Sequence, residues 1–119
     1  MSDEKMTPVD SAALLEDLLE KFALAEASWL SSVRPDGRVH AAPIWHVWHQ
    51  NSAYICTPDS AVRTRNLATN PSVSLTLPDP YDVFIIEGTA ALALEMEETL
   101  QPLFYAKYDW DITEDAEYN

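Results

Sequence analysis

The 119-residue chain has little of three residue types, and each shortage excludes a class of protein. A single cysteine, Cys56, cannot form an intrachain disulfide, so the chain is not a disulfide-stapled domain. The two glycines, Gly37 and Gly88, are too few for a glycine-rich phosphate loop. Seven Lys and Arg against 20 Asp and Glu give a formal charge of −13, which disfavours binding to nucleic acid and to anionic membranes.

Long apolar runs are also missing. No stretch approaches the ~20 apolar residues of a membrane span, and the opening MSDEKMTPVD lacks the basic and apolar regions of a signal peptide. The lone cysteine agrees with a reducing compartment. We therefore expect a soluble, cytoplasmic protein. The hydrophobic fraction of 47% is enough for the core of one domain spanning residues 1–119.

The few basic residues are concentrated in one part of the chain. Residues 34–65 contain four arginines (Arg34, Arg38, Arg63 and Arg65) and only two acids, so this segment is net +2 while the remainder is −15. A small basic region in an acidic protein is typical of a site for one small anion.

The order of residue patterns predicts a mainly β fold with flanking helices. Leucines at helical spacing predict a first helix over about 8–26, with Thr7 as its N-cap and Pro8 at its first position. Short turns separate the strands, and Gly88 predicts a bulge or a bend in the last of them. The predicted strands cover 29–33, 38–48, 53–57, 73–77 and 82–94, with helices over 61–68 and from near Leu100. Such a chain favours a small barrel of about five or six antiparallel strands.

The three histidines do not predict a metal site. His46 and His49 are three apart, so on a strand they point to opposite faces. His40 and His46 share a face but lie about 20 Å apart along an extended strand. We interpret them as strand histidines at a barrel rim or a dimer contact. Cys56, with no catalytic signature around it, is interpreted as a small buried hydrophobe.

One stretch has the parts of a phosphate clamp. Thr57 ends a predicted strand, Asp59 or Ser60 can cap the next helix, and the N–H groups of a helix start attract anions. Arg63 follows within the first turn, and Arg38 comes close if the second and third strands pair. An ordinary capped helix with solvated arginines explains the same residues equally well, so both interpretations stay open at this point.

Five segments in order resemble the pyridoxamine 5′-phosphate oxidase-like family. They are WLSSVRPDGRVHAAPIW at 29–45, the strand at 54–57, RTRNL at 63–67, NPSVSL at 70–75 and IEGTA at 86–90. Together they extend the resemblance over about 8–110. The resemblance implies an FMN-binding split barrel that forms a homodimer with flavin at the interface.

The resemblance also implies which residues bind the cofactor. The strand after the Asp-Gly turn would line the flavin, and the end of the next strand would lie near its ribityl and phosphate groups. Arg63 matches the family's phosphate-binding lysine or arginine. Val83 stands where the true oxidases have a glutamine, so that polar flavin contact is not expected. The implied cofactor-binding residues are Arg38, Val39, His40, Ala41, Cys56, Thr57 and Arg63, with Ala42 and Pro43 completing the first segment.

The implied activity is an FMN-dependent oxidoreductase that acts on a small molecule. Flavin performs the electron or hydride transfer in such proteins, so no side chain is needed as a catalytic residue. His40, Trp45 and His46 could contact the ring or substrate, although for the tryptophan a core or interface role is the better interpretation. A non-catalytic flavin-binding or stress-associated protein is one alternative. Another is a relative that binds haem through His40 or His46, or deazaflavin, whose acidic tail suits the overall charge poorly.

Overall fold

The structure is a computed structural model that describes residues 11–81 and 83–113. The helix start predicted at Thr7 and Pro8 lies outside the described residues. The helices are α1 (Ser11–Leu24), α2 (Val62–Thr69) and α3 (Glu97–Tyr108), the last preceded by a 3-10 turn over Leu94–Met96. The strands are β1 (Ser28–Val33), β2 (Val39–Ile44), β3 (Val47–His49), β4 (Ser52–Tyr54), β5 (Ser72–Thr76) and β6 (Ile85–Thr89).

These strands form two antiparallel sheets. Four of them pair in the order β2-β1-β5-β6, and β3 pairs with β4 as a separate two-stranded sheet. The predicted fold class is therefore confirmed: a mainly β split barrel with flanking helices and about five or six antiparallel strands.

The larger sheet has one buried and one exposed face because its side chains alternate. In β1, Ser28, Leu30 and Ser32 are buried, whereas Trp29 between them is 44% exposed. Residues paired across neighbouring strands point to the same face of a sheet. The strand register therefore tells which residues of the larger sheet lie on each of its two faces. We call the side of Leu30 the inner face and the side of Trp29 the outer face.

The inner face covers the main core. Phe22 of α1 is completely buried against it, and its ring lies 5.7 Å from that of Phe84. The buried residues of this core are Phe22, Leu30, Ile44, Leu75, Leu77 and Phe84. A second cluster, formed by Val47, Leu100, Phe104 and Ile112, packs α3 against β3.

The prediction of one continuous strand over 38–48 is wrong. The segment forms two strands in different sheets, β2 and β3, separated at Trp45 and His46. The backbone of His46 bonds α3 side chains instead of a strand: its N–H donates to Tyr108 Oη at 3.0 Å, and its carbonyl accepts from Lys107 Nζ at 2.8 Å. These bonds hold the chain out of the ladder and turn it from one sheet to the other.

Two other predicted strands are longer than the strands that the structure contains. The strand predicted over 53–57 ends at Tyr54, and the one predicted over 82–94 covers only 85–89. No bulge occurs at Gly88, which pairs directly with Val73 in a continuous register. Helix α3 begins at Glu97 rather than near Leu100, which places Pro102 inside it. Pro102 is exposed, so water can bond the carbonyl that proline leaves without an amide partner.

None of the helices in the described residues combines the length and the apolar character needed to cross a membrane.

Candidate functional site

The residues predicted to line the flavin lie on both faces of β2. Val39 and Ala41 are exposed on the outer face, opposite Val33 and Ser31 of β1. His40 pairs with Ser32 and therefore points to the inner face. The predicted segment thus divides into an outer group and an inner group. A single ligand surface cannot contact both groups of side chains.

The outer face carries both polar and apolar residues, and Glu87 lies on it beside Ser74. Its centre carries the small residues Ala41, Ser31 and Ser74, which lie side by side on three neighbouring strands. Larger apolar side chains stand around them, with Val39 68% exposed and Ile85 52% exposed. A planar aromatic group could lie flat on the centre of this face and contact apolar side chains at its edge.

The first turn of α2 lacks the predicted side-chain cap. Neither Asp59 nor Ser60 caps it: the N-cap is Ala61, whose side chain has no oxygen to offer. A helix start leaves backbone N–H groups without intrahelical partners, and these attract anions. Thr57 is held beside this turn, since its Oγ1 lies 3.0 Å from Oγ1 of Thr64.

Two buried polar atoms in the described residues have no hydrogen-bond partner, Nε of Arg63 and Nδ1 of His40. Both residues belong to the predicted site. A buried guanidinium nitrogen without a partner is costly, so such an atom points to an acceptor supplied by a ligand. Arg63 lies in the first turn of α2, and Thr57 is bonded to Thr64 of the same turn, so we call Arg63, Thr57 and the uncapped helix start the Arg63 clamp.

Arg38 lies near α2, but not because of the strand pairing that was predicted. The strand that follows it, β2, pairs with β1 and not with the next strand of the chain. A groove of about 520 Å³ between the β1–β2 turn and α2 contains Arg38 together with Arg34 and Arg65. The groove is lined by Arg34, Pro35, Asp36, Arg38, Val62, Arg65, Asn66 and Thr69. We call it the arginine groove.

Arg34 and Arg65 belong to the basic segment, but no residue pattern in the sequence assigns them to a site. They meet because α2 packs on the inner face through Asn66, whose Nδ2 donates to Ser32 Oγ at 3.1 Å. That contact joins residues 34 apart in the chain. The clustering of four arginines within 34–65 was the available signal.

Cys56 is half-buried in the segment that follows β4. Burial, with a smaller contribution from the charge of Glu97, raises the pKa of its thiol to about 11. The thiolate is the nucleophilic form of cysteine, so this side chain is inert near neutral pH. The interpretation of Cys56 as a small hydrophobe agrees with this environment.

His46 is a core residue, fully buried where the two sheets meet. Its ring stacks on Phe22 with centroids 4.1 Å apart, and both ring nitrogens have partners. Nε2 lies 2.7 Å from the Phe22 carbonyl, which can only accept, so Nε2 carries the proton and Nδ1 accepts from Ser28 Oγ at 3.0 Å. Burial lowers the pKa of His46 to about 4, which keeps the imidazole neutral.

Trp45 is packed against α3 and does not lie on the outer face. Its ring stacks on Tyr108 at 4.4 Å and meets Trp110 edge-on at 5.8 Å. Beside this pair, Lys107 Nζ donates to the carbonyls of Ala23 and His46 at 2.9 and 2.8 Å. These contacts place Trp45 in an aromatic cluster with α3, but its side chain is 45% exposed, so it is a surface aromatic and not a core residue.

Metal binding has no support in the part of the chain that the structure describes. There, no three or more His, Cys, Asp or Glu side chains are grouped so that they could hold an ion.

Comparison with known proteins identifies the family. Residues 14–117 match the pyridoxamine 5′-phosphate oxidase family. The chain belongs to this family. No protein of curated function has a sequence detectably similar to it.

Solved structures with this fold carry diverse names. An F420 reductase has a TM-score of 0.66 at 21% identity, with 83% of each chain covered. HutZ, the heme storage protein from Vibrio cholerae, has a TM-score of 0.64 at 18% identity, covering 79% of this chain and 75% of its own. General Stress Protein 26 from Bacillus anthracis str. Sterne has a TM-score of 0.64 at 19% identity, covering 87% and 83%. At these identities the likeness shows the fold alone.

Proposed function

We propose that this family member binds FMN as a homodimer and acts as an FMN-dependent oxidoreductase on a small molecule. The observation that carries the proposal is the Arg63 clamp, where a buried Nε without a partner stands beside an uncapped helix start. Both features favour an anion at one point. The single phosphate of FMN is such an anion, and the family membership supports this choice.

The proposal assigns the two ends of the cofactor to places on opposite sides of the larger sheet, so the cofactor would pass round the free edge of β2, the end strand of that sheet. The Arg63 guanidinium, the Thr57 hydroxyl and the first-turn N–H groups of α2 would hold the phosphate. The outer face, flat at Ala41 and apolar at Val39, would support the isoalloxazine ring. This face is open to solvent on one side, so a second copy of the chain would enclose the ring and complete the site.

When bound, FMN supplies the hydride or electron transfer. The chain's own residues bind and orient the cofactor, and the dimer partner excludes water from the ring. None of the described side chains is assigned as an acid or base, because Cys56 has a raised pKa and His46 is buried with both nitrogens engaged. We place the protein in the cytoplasm on the basis of its composition.

The decisive experiment compares FMN with riboflavin, which lacks the phosphate. Arg63→Ala should weaken FMN binding about 10-fold to 100-fold, because a hydrogen bond to a charged group contributes roughly 1.5–3 kcal/mol. Riboflavin binding should change little. Lys21→Ala removes an exposed cation of α1 and should leave both affinities unchanged. Equal losses for FMN and riboflavin, or no FMN uptake by the wild type, would contradict the proposal.

Turnover separates an enzyme from a flavin-binding module. An oxidoreductase should show reduction of its bound flavin by NAD(P)H or by a substrate, followed by reoxidation, in stopped-flow absorbance. A protein that binds flavin and is not reduced by any such donor would instead be the non-catalytic alternative. General Stress Protein 26 has the same fold, which makes this comparison worth doing.

Haem is the second candidate, favoured by the unpartnered Nδ1 of His40 and by the fold shared with the heme storage protein HutZ. His46 is a poor axial ligand because both its ring nitrogens are engaged and its side chain is fully buried. Haem binding would therefore depend on His40. A Soret band that His40→Ala abolishes and Arg63→Ala preserves would replace FMN with haem as the cofactor.

A further inference from the structure

The arginine groove has an excess of positive charge that the protein itself does not neutralise. Its only acid, Asp36, is already bonded to Arg38 through Nε at 2.8 Å and through the backbone N–H at 3.1 Å. Arg34 and Arg65 form no salt bridge with any described residue. The groove is therefore net +2 in a chain whose total charge is −13.

We propose that the arginine groove is a binding site for a small organic polycarboxylate. Guanidinium groups bind carboxylates through paired hydrogen bonds, and three of them around one groove match a ligand with two or three carboxylates. The binding of such an anion would relieve the mutual repulsion of the arginines. The volume of about 520 Å³ lies in the range of small-molecule sites.

The walls of the groove favour an organic ligand over an inorganic ion. Pro35 and Val62 add apolar surface to the lining, which phosphate or sulfate cannot use. A ligand with an apolar body and carboxylates at its edge would bury that surface and reach the guanidinium groups together. Nucleic acid is disfavoured because the acidic remainder of the chain would repel its backbone.

The groove is a different site from the Arg63 clamp. Its α2 residues Val62, Arg65, Asn66 and Thr69 follow the helical spacing i, i+3, i+4 and i+7, so they form one stripe of the helix. Arg63 does not line the groove: around the helix it lies about 100° from Val62 and about 60° from Asn66, to one side of that stripe. Binding in the groove does not rest on flavin binding.

The experiment titrates the full chain with benzene-1,3,5-tricarboxylate in a calorimeter at low salt. Benzoate has the same ring with one carboxylate, and citrate has three carboxylates without the ring. We expect the tricarboxylate to bind at least ten times more tightly than either. Arg34→Gln and Arg65→Gln should each weaken its binding about tenfold or more, since each removes a charged hydrogen bond.

Lys21→Gln is the matched control, because it removes one exposed cation of α1 outside the groove. It should leave tricarboxylate binding unchanged. Equal losses in Lys21→Gln and the groove variants would mean binding by general charge and would overturn the proposal, as would a wild type that does not bind the tricarboxylate. Arg63→Gln should bind the tricarboxylate normally while losing FMN affinity, so the two sites can fail independently.

Discussion

Among single residues, His46 is the clearest case of a polar side chain used to build the core. Its ring stacks on Phe22 and bridges Ser28 to the Phe22 carbonyl, so it joins the end of α1 to the start of β1. A charged imidazole there would lose its solvation without gaining a carboxylate partner. The fold therefore depends on this histidine staying neutral.

That requirement predicts an acid-sensitive core. The pKa of His46 is about 4 in the folded chain against an ordinary 6.5, so the unfolded chain binds the extra proton as pH falls below 6.5. The contribution of neutral His46 to the free energy of unfolding is fully present above pH 6.5 and is lost progressively as the pH falls to 4. Between about pH 7.5 and 5.0 the loss should be on the order of 2 kcal/mol, measured by urea unfolding.

The control for this prediction is a variant that cannot titrate at the position. His46→Gln should be less stable than the wild type at about pH 7.5 but should lose about 2 kcal/mol less on acidification. His49→Gln removes an imidazole from β3 and keeps His46, so it should retain the wild-type pH dependence. If His46→Gln and the wild type lose the same free energy of unfolding, the histidine is not the cause.

Among the elements, the β1–β2 turn depends on one glycine conformation. Gly37 has φ of +92°, and a Cβ built there meets no atom within 4 Å. Gly88 in β6 is equally free of neighbours but has ordinary strand geometry. Gly37→Ala should therefore cost about 1–2 kcal/mol in thermal or urea unfolding, while Gly88→Ala should be neutral or slightly stabilising. Equal effects would contradict the conformational explanation.

Helix α3 is fastened to the rest of the fold by Lys107. Its Nζ bonds the carbonyls of Ala23 at the end of α1 and of His46 between the sheets, at 2.9 and 2.8 Å. Lys107→Met would leave both carbonyls without this donor and should destabilise the protein by about 2 kcal/mol in urea unfolding at neutral pH. Lys21→Met, at an exposed pair with Asp17, should cost less than about 0.5 kcal/mol.

The presence of most helices and strands could be predicted from local sequence, whereas the interruption of a strand at His46 could not. Turn chemistry at 34–37 and alternation in β1 and β5 are local signals, and those elements were found. The break at His46 is imposed by Lys107 and Tyr108, about sixty residues away, so no local pattern contains it. Loss of the Asp59 or Ser60 cap has a similar origin, because the Pro58 carbonyl accepts from the Ala61 N–H and starts the helix later.

The same distinction applies to the candidate site. Arg63 lies in the first turn of α2 and Thr57 lies five residues before that helix, so local spacing is enough to predict that the two are near one another. The two faces of β2 follow from alternation, but the side that is buried depends on where α1 and α2 pack. The arginine groove needs the Asn66–Ser32 contact between distant segments, so Arg34 and Arg65 could not be assigned to it from sequence.

At the scale of the whole molecule, the charge is unevenly distributed. Residues 34–65 are net +2 and contribute Arg34, Arg38 and Arg65 to one groove, whereas the remainder of the sequence is −15. The local field of the basic segment favours anions there. The outer face exposes Trp29, Val39 and Ile85 on one side of the larger sheet.

Exposed apolar side chains on one face of a sheet are typical of an interface between copies. If the outer face is the dimer contact of the proposed FMN site, a charge placed on it at Val39 should separate the copies, because the new carboxylate would be buried without a partner. Val39→Glu should therefore sediment at the 13.4 kDa of one chain, while the wild type sediments at twice that mass. The same variant should lose FMN affinity by at least about tenfold, since each ring would lose the surface that encloses it.

Tyr105→Glu tests whether the effect belongs to the outer face. Tyr105 is 54% exposed on α3, so the substitution adds the same charge at a comparably open apolar position away from the larger sheet. It should leave both the dimer mass and FMN affinity unchanged. A wild type that sediments as a monomer, or a Val39→Glu variant that stays dimeric with full FMN affinity, would show that the copies do not meet on the outer face. The ring would then have to be covered by residues of its own chain.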